Sequence, residues 1–192
     1  MIDKALTIIA EAVQQYLVRL PDLNLANQKA IQPSHIVKPD GTLAIPENTL
    51  GLALVNVEEE RVTRAQQGIT TMANGRVAHL NPEVKLNLFI LIAANFKDYK
   101  TGLEFLSGAV RFFQSCNVFT QQNTPTLAPG IAKLVVELQS LNFEQQNNLW
   151  GTLGGKYLPS VLYKVRLLAI QEGLAMDDQP AITTISLNGR GV

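Results

Sequence analysis

The segment from Val84 to Ala94 constrains the fold of this chain more than any other segment. Apolar residues occupy every second position, which is the period of a β-strand; these residues are Val84, Leu86, Leu88, Ile90 and Ile92. The positions between them change from polar to apolar along the segment; they are Lys85, Asn87, Phe89 and Leu91. Such a strand begins half-exposed and ends covered on both faces. The chain must therefore build a sheet that has other layers on both sides at one end.

The other elements are predicted from apolar periodicity, caps and turn residues. We expect helices from an N-cap at Asp3 to Leu20, from an N-cap at Asp98 to Ser115, and from a capping box at Asn142 and Gln145 to Leu153. We expect strands at Leu50–Glu59, Ile131–Leu138 and Val161–Ile170. The order is α-β-β-α-β-α-β. The first two strands have no helix between them, so they are expected to pair as a long antiparallel hairpin.

This order predicts an α+β fold with a mixed, largely antiparallel sheet of four or slightly more strands and flanking helices. Residues 1–171 are expected to form the domain, and residues 172–192 a C-terminal arm or tail. Within the second helix, the predicted core stripe is Leu103, Leu106, Val110 and Phe113, widened by Phe105, Ala109 and Phe112. In the strand predicted at Ile131–Leu138, the residues expected to face the core are Ala132, Leu134, Val136 and Leu138. Trp150 is expected to be a core anchor.

The charge balance excludes several classes of function. Sixteen Lys and Arg residues offset sixteen Asp and Glu residues, so the formal net charge is zero. A neutral chain has no overall field that would draw it to nucleic acid or to an anionic membrane. Charged residues make up 17% of the chain, against about 25% in an average soluble domain. Because few charges guard the surface against self-association, part of it is expected to contact other protein.

The sequence also predicts where the chain is found. Its first residues lack the basic start and unbroken apolar core of a signal peptide. The longest apolar run, Leu88 to Ala94, is far shorter than the roughly 20 residues that cross a membrane. We therefore expect a chain that is cytoplasmic when it is made and does not insert into membranes.

No constellation of residues predicts a catalytic, cofactor-binding or metal site. His35 and His79 lie in predicted loops without a second ligand at a suitable spacing. Cys116 follows a helix, whose negative end disfavours a thiolate. The cluster Glu58–Glu60 is better interpreted as a solvated strand end or an inter-subunit charge pair than as an acid/base site. An enzyme with a site built from these histidines and carboxylates is the alternative.

Two segments are longer than a compact domain needs. The connection between the first two strands, residues 61 to 82, is polar and contains Asn74-Gly75, which is typical of a tight hairpin turn. Loops beyond about 15 residues are usually functional or disordered. The tail contains a β-prone patch, residues 182 to 187, which could add a strand to the sheet edge of a neighbour.

The stretch from Asn142 to Arg166, which reads NFEQQNNLWGTLGGKYLPSVLYKVR, carries a family resemblance. It resembles the signature of the cap, or tail-terminator, proteins of extracellular contractile injection systems. These are phage-tail-like particles of the antifeeding-prophage and virulence-cassette type. Further stretches resemble the same family in the same order; they are Met1–Leu6, Leu54–Arg61, Leu86–Phe89, Ala93–Tyr99 and Phe112–Gln114. The resemblance covers roughly residues 1 to 170.

The resemblance implies a structural role without catalysis or cofactors. Family members are expected to form a sixfold ring on the distal end of the sheath and inner tube, where they stop polymerisation and join the last layers. The implied partners are further copies of the chain, the sheath protein and the inner tube protein. The chain would assemble in the cytoplasm and then belong to the particle. Another structural or adaptor component of the particle, tube-associated or in the baseplate, is the nearest alternative.

Charged clusters of mixed sign suit contacts between the identical subunits of a ring. With this role, we expect the 61–82 connection to contact a ring neighbour or the tube, and residues 178 to 190 to act as an arm. The predicted interface residues are Glu58, Glu60, Arg61, Arg64, Arg76, Lys156, Lys164, Arg166, Ile182 and Ile185.

Overall fold

The computed structural model of the chain describes residues 1–23, 29–60, 68–71, 76–80, 85–169 and 178–180. Within these ranges the helices are α1 (Ile2–Val18), α2 (Tyr99–Ser115) and α3 (Phe143–Leu153). The strands in the same ranges are β1 (Ile31–Pro33), β2 (Thr49–Glu59), β3 (Gly68–Thr71), β4 (Arg76–Leu80), β5 (Lys85–Asn95), β6 (Val118–Thr120), β7 (Ile131–Gln139), β8 (Ser160–Ala169) and β9 (Asp178–Pro180).

Six of these strands form one sheet, here called the main sheet, in the order β1-β2-β5-β8-β7-β6. β1 runs parallel to β2, and the other neighbours are antiparallel. The predicted hairpin of the first two long strands is confirmed as the pair β2 and β5, with Glu59 opposite Leu86 and Thr49 opposite Asn95. The α+β class and the mixed, largely antiparallel sheet are therefore confirmed.

The main sheet has six strands rather than four because a short strand, β1 or β6, is added at each edge. The proline-containing stretches 21–48 and 117–130 are typical of loops, yet they contain β1 and β6, so a loop prediction there is wrong. Each edge strand has three residues, fewer than the four to eight over which alternation becomes visible in a sequence. Each is fixed by its longer neighbour, as in the pairing of Ile31 with Leu50 and of Phe119 with Leu134.

The polar connection predicted as a loop also contains strands. β3 and β4 pair antiparallel, with Gly68 opposite Leu80, and β9 pairs with β4 to complete a second sheet of three strands. This is the hairpin that Asn74-Gly75 predicts, although those two residues lie outside the described residues. His79 therefore lies in a strand rather than in the expected loop.

One face of the main sheet, here called the first face, is covered by α1 and α2. Leu88, Ile90 and Ile92 of β5 are fully buried there, in the larger of two apolar clusters. Leu91 on the opposite face is also buried, in the smaller cluster. The prediction for this strand is therefore confirmed, because the end of β5 is covered on both sides.

The helices of the first face have mostly the predicted ends. α2 begins after Asp98, whose carboxylate accepts a hydrogen bond from the backbone N–H of Thr101 at 2.8 Å. For α1 the predicted cap is wrong: Met1 is the N-cap and Asp3 lies in the first turn, where its charge still faces the positive end of the helix. The buried stripe of α2 contains most of the predicted residues, but Leu103 is 37% exposed and Val110 is half-buried. The stripe consists of Gly102, Phe105, Leu106, Gly108, Ala109, Phe112 and Phe113.

The other face, here called the second face, is covered at one end by α3 and by Ile36 and Ile45 from the segment between β1 and β2. There α3 packs on the sheet through Trp150, which is 5% exposed, as expected of a core anchor. The predicted capping box is present: Asn142 accepts from the backbone N–H of Gln145 at 2.8 Å, and Gln145 accepts from that of Asn142 at 3.0 Å. Gly154 ends the helix with a φ of +68°, which favours glycine.

Strand β7 departs from the predicted alternation at both ends. A bulge between Ile131 and Lys133 leaves Ala132 exposed, since the extra residue has no place in the ladder. At the other end, Leu138 is 59% exposed because the first-face helices do not cover it. Leu134 and Val136, between these points, are buried as predicted.

Candidate assembly interface

The end of the second face that lies away from α3 collects charged and polar side chains from four neighbouring strands. We call this set the charged patch; its members are Glu58, Glu60, Lys85, Asn87, Lys133, Glu137, Lys164 and Arg166. The strand register brings them together, since Glu58 lies opposite Asn87, which lies opposite Arg166. In the adjacent row, Lys164 lies opposite Glu137. The sheet therefore assembles residues that are far apart in sequence into one surface.

A bulge in β2 decides which carboxylates belong to the charged patch. β2 gains one residue relative to β5 between Leu54 and Asn56. Because side chains alternate between faces, one extra residue moves all later side chains to the opposite face. Asn56 and Glu58 therefore lie on the second face, whereas in a regular strand they would point towards the helices of the first face.

Hydrogen bonds order part of the charged patch. Arg166 Nη2 donates to Glu137 Oε1 in an ion pair whose side chains are each about half exposed. Asn87 Nδ2 donates to Glu60 Oε2 at 3.2 Å, and Asn56 Nδ2 donates to Glu58 Oε1 at 3.1 Å. Exposed ion pairs of this kind contribute only about 0 to 1 kcal/mol to folding. The ion pair therefore orders the surface without contributing much to stability.

Asn87 is the buried centre of the charged patch. It is 5% exposed, although the sequence pattern places it on the polar face of its strand. Its Oδ1 has no hydrogen-bond partner among the described residues. A buried acceptor without a partner costs about 1 to 3 kcal/mol. A group that donated a hydrogen bond to Oδ1 would remove this cost.

A groove of about 420 Å³ runs along the charged patch. Its charged lining consists of Glu60, Lys85, Lys133 and Arg166, and therefore has more cationic than anionic groups. The groove lies where β2 ends and β5 begins, so the connection that contains β3 and β4 leaves the main sheet beside it. β8 ends at the same edge, and the chain continues from there to β9.

The structure brings together four of the predicted interface residues, namely Glu58, Glu60, Lys164 and Arg166. Lys156 lies apart from them, in the loop between α3 and β8, about 20 Å of strand away from Arg166. Arg76 begins β4. Arg61, Arg64, Ile182 and Ile185 lie outside the described residues, as does most of the predicted arm. Its described part, β9, pairs with β4 of the same chain.

Sequence reasoning missed Lys85, Asn87, Lys133 and Glu137 as members of the charged patch. Lys133 and Glu137 carry a usable signal, because they are the charged positions of an alternating strand. Asn87 carries none, since its position in a polar stretch predicts exposure. The bulge in β2 is also invisible in the sequence, as neither glycine nor proline marks it.

The residues weighed as catalytic candidates are not assembled into one site. His35 is exposed beside Ser34, whose backbone N–H is bonded to Leu52 O in β2. Glu58 lies six residues further along that strand, about 20 Å away. Cys116 is the half-buried C-cap of α2. Among the described residues, no group of three His, Cys, Asp or Glu side chains could hold a metal ion.

Two solved structures have a similar fold. One is a cryo-EM structure of the PVC sheath/tube terminator of an extracellular contractile injection system, in the extended state. It matches 100% of this chain with a TM-score of 0.62 and 16% identity. The other is the tube-terminating cap of the anti-feeding prophage, which matches 95% of this chain with a TM-score of 0.60 and 12% identity. This chain covers 64% and 59% of those two chains.

None of the helices in the described ranges is long and apolar enough to cross a membrane. No curated protein matches the sequence. The family model of the Pvc16 N-terminal domain, however, matches residues 5–184 and so spans nearly the whole sequence, including residues 172–184 of the predicted tail. The chain therefore belongs to the Pvc16 N-terminal domain family, which confirms the family resemblance found in the sequence.

Proposed function

We propose that this chain is a terminator of a contractile injection system, which caps the distal end of the sheath and inner tube. The observation that carries the proposal is the agreement in fold, over nearly the whole chain, with a sheath/tube terminator and with a tube-terminating cap. The family match and the signature at residues 142 to 166 support it.

The role is structural rather than catalytic. A cap needs surfaces that fit the particle, and the charged patch is such a surface. The separation of His35 from the Glu58–Glu60 cluster argues against the enzyme alternative, because a general acid and base must both reach one substrate. The chain is made in the cytoplasm and joins the particle there during assembly.

The mechanism follows from the geometry of helical polymers. The growing end of a tube or sheath presents the same unsatisfied face to each incoming ring, and elongation continues as long as each new ring presents that face again. A terminator matches the growing end with one surface and offers nothing similar on the other. The main sheet has two such unlike surfaces, since its first face is covered by α1 and α2 and its second face carries the charged patch.

The charged patch forms the contact with the last tube or sheath ring. Glu58, Glu60, Lys164 and Arg166 contribute from the sheet. The connection with Arg61, Arg64 and Arg76, and the arm with Ile182 and Ile185, extend the same contact because both chain segments leave the sheet beside the groove. Lys156 lies on a different part of the surface and contacts a ring neighbour instead.

Electron microscopy of particles from a strain that lacks the protein tests the proposal. Loss of a terminator gives sheaths and tubes of uncontrolled length, and the wild-type gene supplied in trans restores a single length. Absence of assembled particles would instead indicate a baseplate or adaptor component, and particles of normal length would contradict the proposal. Native mass spectrometry of the purified chain, with six copies expected, tests the sixfold ring.

A further inference from the structure

Helix α3 crosses the second face of the main sheet from one lateral edge to the other. Its first residue, Phe143, follows β7 by four positions, and its last residue, Leu153, lies beside β1 and β2. An eleven-residue helix is about 16 Å long, and the three strand spacings from β7 to β2 measure about 14 Å. The two ends of α3 therefore mark opposite sides of the subunit.

The β7 side of the subunit carries an aromatic knob. Phe143 is 91% exposed, which is the highest exposure among the large apolar side chains of the described residues. The capping box fixes the start of the helix, so the ring stands on a rigid base rather than on a loose loop. Glu144 follows it in the first helical turn and gives the knob a negative charge.

Beside the knob is a groove of about 270 Å³ that contains a buried hydrogen-bond donor. Leu138, 59% exposed, and Leu141 contribute to its lining. Trp150 also lines the groove, and its Nε1–H has no acceptor among the described residues although the side chain is 5% exposed. The exposed Leu138 and Phe143 give this side of the subunit an apolar surface, which is a feature of an interface.

The opposite side of the subunit carries an apolar pocket of about 550 Å³. Its apolar lining is Leu6, Pro33, Ile36, Val37, Leu52, Ala53, Leu54 and Leu153. His35 also lines it, and Lys38 is exposed in the adjoining turn. Asp40 in that turn keeps its negative charge, but its carboxylate is held against Thr42, from whose backbone N–H and hydroxyl it accepts hydrogen bonds at 2.8 and 2.6 Å.

We infer that Phe143 of one subunit inserts into the pocket lined by Leu54 and Leu153 of the next subunit. The negative Glu144 then lies on the side that carries the exposed Lys38, so opposite charges meet beside the apolar contact. The knob and the pocket lie on opposite sides of the same chain, which makes the contact head-to-tail. A head-to-tail contact closes into a ring when the rotation between subunits allows it. The inference deepens the proposed function and rests on it, since it names the contact that builds the cap.

Cross-linking tests the contact directly. The sequence contains a single cysteine, so a Cys116→Ser background leaves no other thiol. Phe143→Cys and Leu54→Cys are placed in separate chains, mixed, and treated with a short bismaleimide. We expect dimers from the mixture, none from either chain alone, and a ladder up to the complete ring from the double variant. The same reaction is performed on assembled particles, where the contact must also form.

Dimers from Phe143→Cys alone would indicate a symmetric contact and would overturn the inference. Rings or capped particles that give no cross-link between the two positions would overturn it as well, while leaving the terminator role intact. Conversely, a cross-linked ring together with normal particle length in a strain lacking the protein would refute the terminator role and leave the contact standing.

Substitutions give a second, independent readout. Phe143→Ala is expected to weaken self-association on the order of 30-fold, as for a buried aromatic hot spot. Tyr99→Ala is the matched control, because Tyr99 is also an exposed aromatic residue at the first position of a capped helix. Glu144→Lys should weaken association, and Lys38→Glu in the same chain should restore it. Equal effects of Phe143→Ala and Tyr99→Ala in light scattering would contradict the inference.

Discussion

The two faces of the main sheet have opposite designs. The first face is covered by α1 and α2 along its whole central part, and its large cluster contains apolar and aromatic side chains throughout. The second face is covered by the short helix α3 at one end, and its other end carries the charged patch. Because the larger apolar cluster lies on the first face, that face provides most of the folding energy. The charged patch makes the second face the better candidate for contacts with other subunits. Substitutions on the two faces should therefore separate stability from assembly.

The largest expected effect comes from truncating one buried leucine on each face. Leu88 is fully buried on the first face, and Leu91, three positions later in the same strand, is 2% exposed on the second. We expect Leu88→Ala to lower the free energy of unfolding by about 3 to 4 kcal/mol and Leu91→Ala by about 2 to 3 kcal/mol, because the smaller cluster beside open grooves relaxes more easily. Urea denaturation measures both. A larger loss for Leu91→Ala would contradict the comparison.

A smaller effect is expected from high pH, through a tyrosine of the first face. Tyr163 is 2% exposed and packs on Phe113 at 4.5 Å between ring centroids. Burial raises its pKa from 10.0 to about 12. A raised folded-state pKa means that the stabilising effect is complete below pH 10 and is lost as the pH rises towards 12. The difference corresponds to roughly 3 kcal/mol.

The measurement is the free energy of unfolding between pH 9 and 12, for the wild-type chain and for Tyr163→Phe. The variant lacks the titrating hydroxyl and keeps the ring, so the wild-type chain should lose more stability than the variant over this range. All other groups are the same in both proteins, so their contributions cancel in the difference. Parallel curves for the two proteins would show that Tyr163 ionises without penalty and that the first face is less dry than its burial indicates.

Glycine-to-alanine substitutions in α2 and α3 are expected to change the free energy of unfolding by about 1 kcal/mol, in opposite directions. A Cβ at Gly108 of α2 would lie 2.6 Å from Leu17 Cδ2, whereas a Cβ at Gly151 of α3 would meet nothing within 4 Å. Alanine gains about 1 kcal/mol over glycine in a helix. We expect Gly151→Ala to raise the free energy of unfolding by about 0.5 to 1 kcal/mol, and Gly108→Ala to lower it, because overpacking outweighs the gain. Thermal unfolding followed by circular dichroism checks both signs.

The sequence predicts the parts of this molecule that local signals determine. The cap at Asp98, the capping box at Asn142 and the stop at Gly154 act within a few residues, and the structure contains all three. The short edge strands and the β4–β9 pairing depend on partners that are distant in sequence, so no local pattern predicts them.

The same distinction explains the candidate site. Charge clustering near strand ends found Glu58, Glu60, Lys164 and Arg166. The register between strands and the bulge in β2 then decided which neighbours join them and on which face. Lys156 is close to Lys164 in sequence but not in the patch, since the strand runs away from it.

The smallest effect on stability, and the sharpest test of the comparison, is expected from the charged patch. Arg166 pairs with Glu137 at a half-exposed position, so Arg166→Glu should change the free energy of unfolding by no more than about 1 kcal/mol. It reverses a charge in the groove, however, and should abolish capping, which electron microscopy would show as particles of uncontrolled length. Glu137→Arg combined with Arg166→Glu restores the ion pair but not the original charge pattern.

This double variant therefore separates two explanations. If the ion pair acts only by holding the sheet together, the double variant should cap particles as the wild-type chain does. If the patch recognises a partner by the position of its charges, the double variant should fold normally and still fail to cap. The second outcome is expected, because the first face already supplies the stability of the domain. Charge reversal at Lys100, which lies on the other side of the sheet in α2 and pairs with Glu104, is the control and should leave capping unchanged.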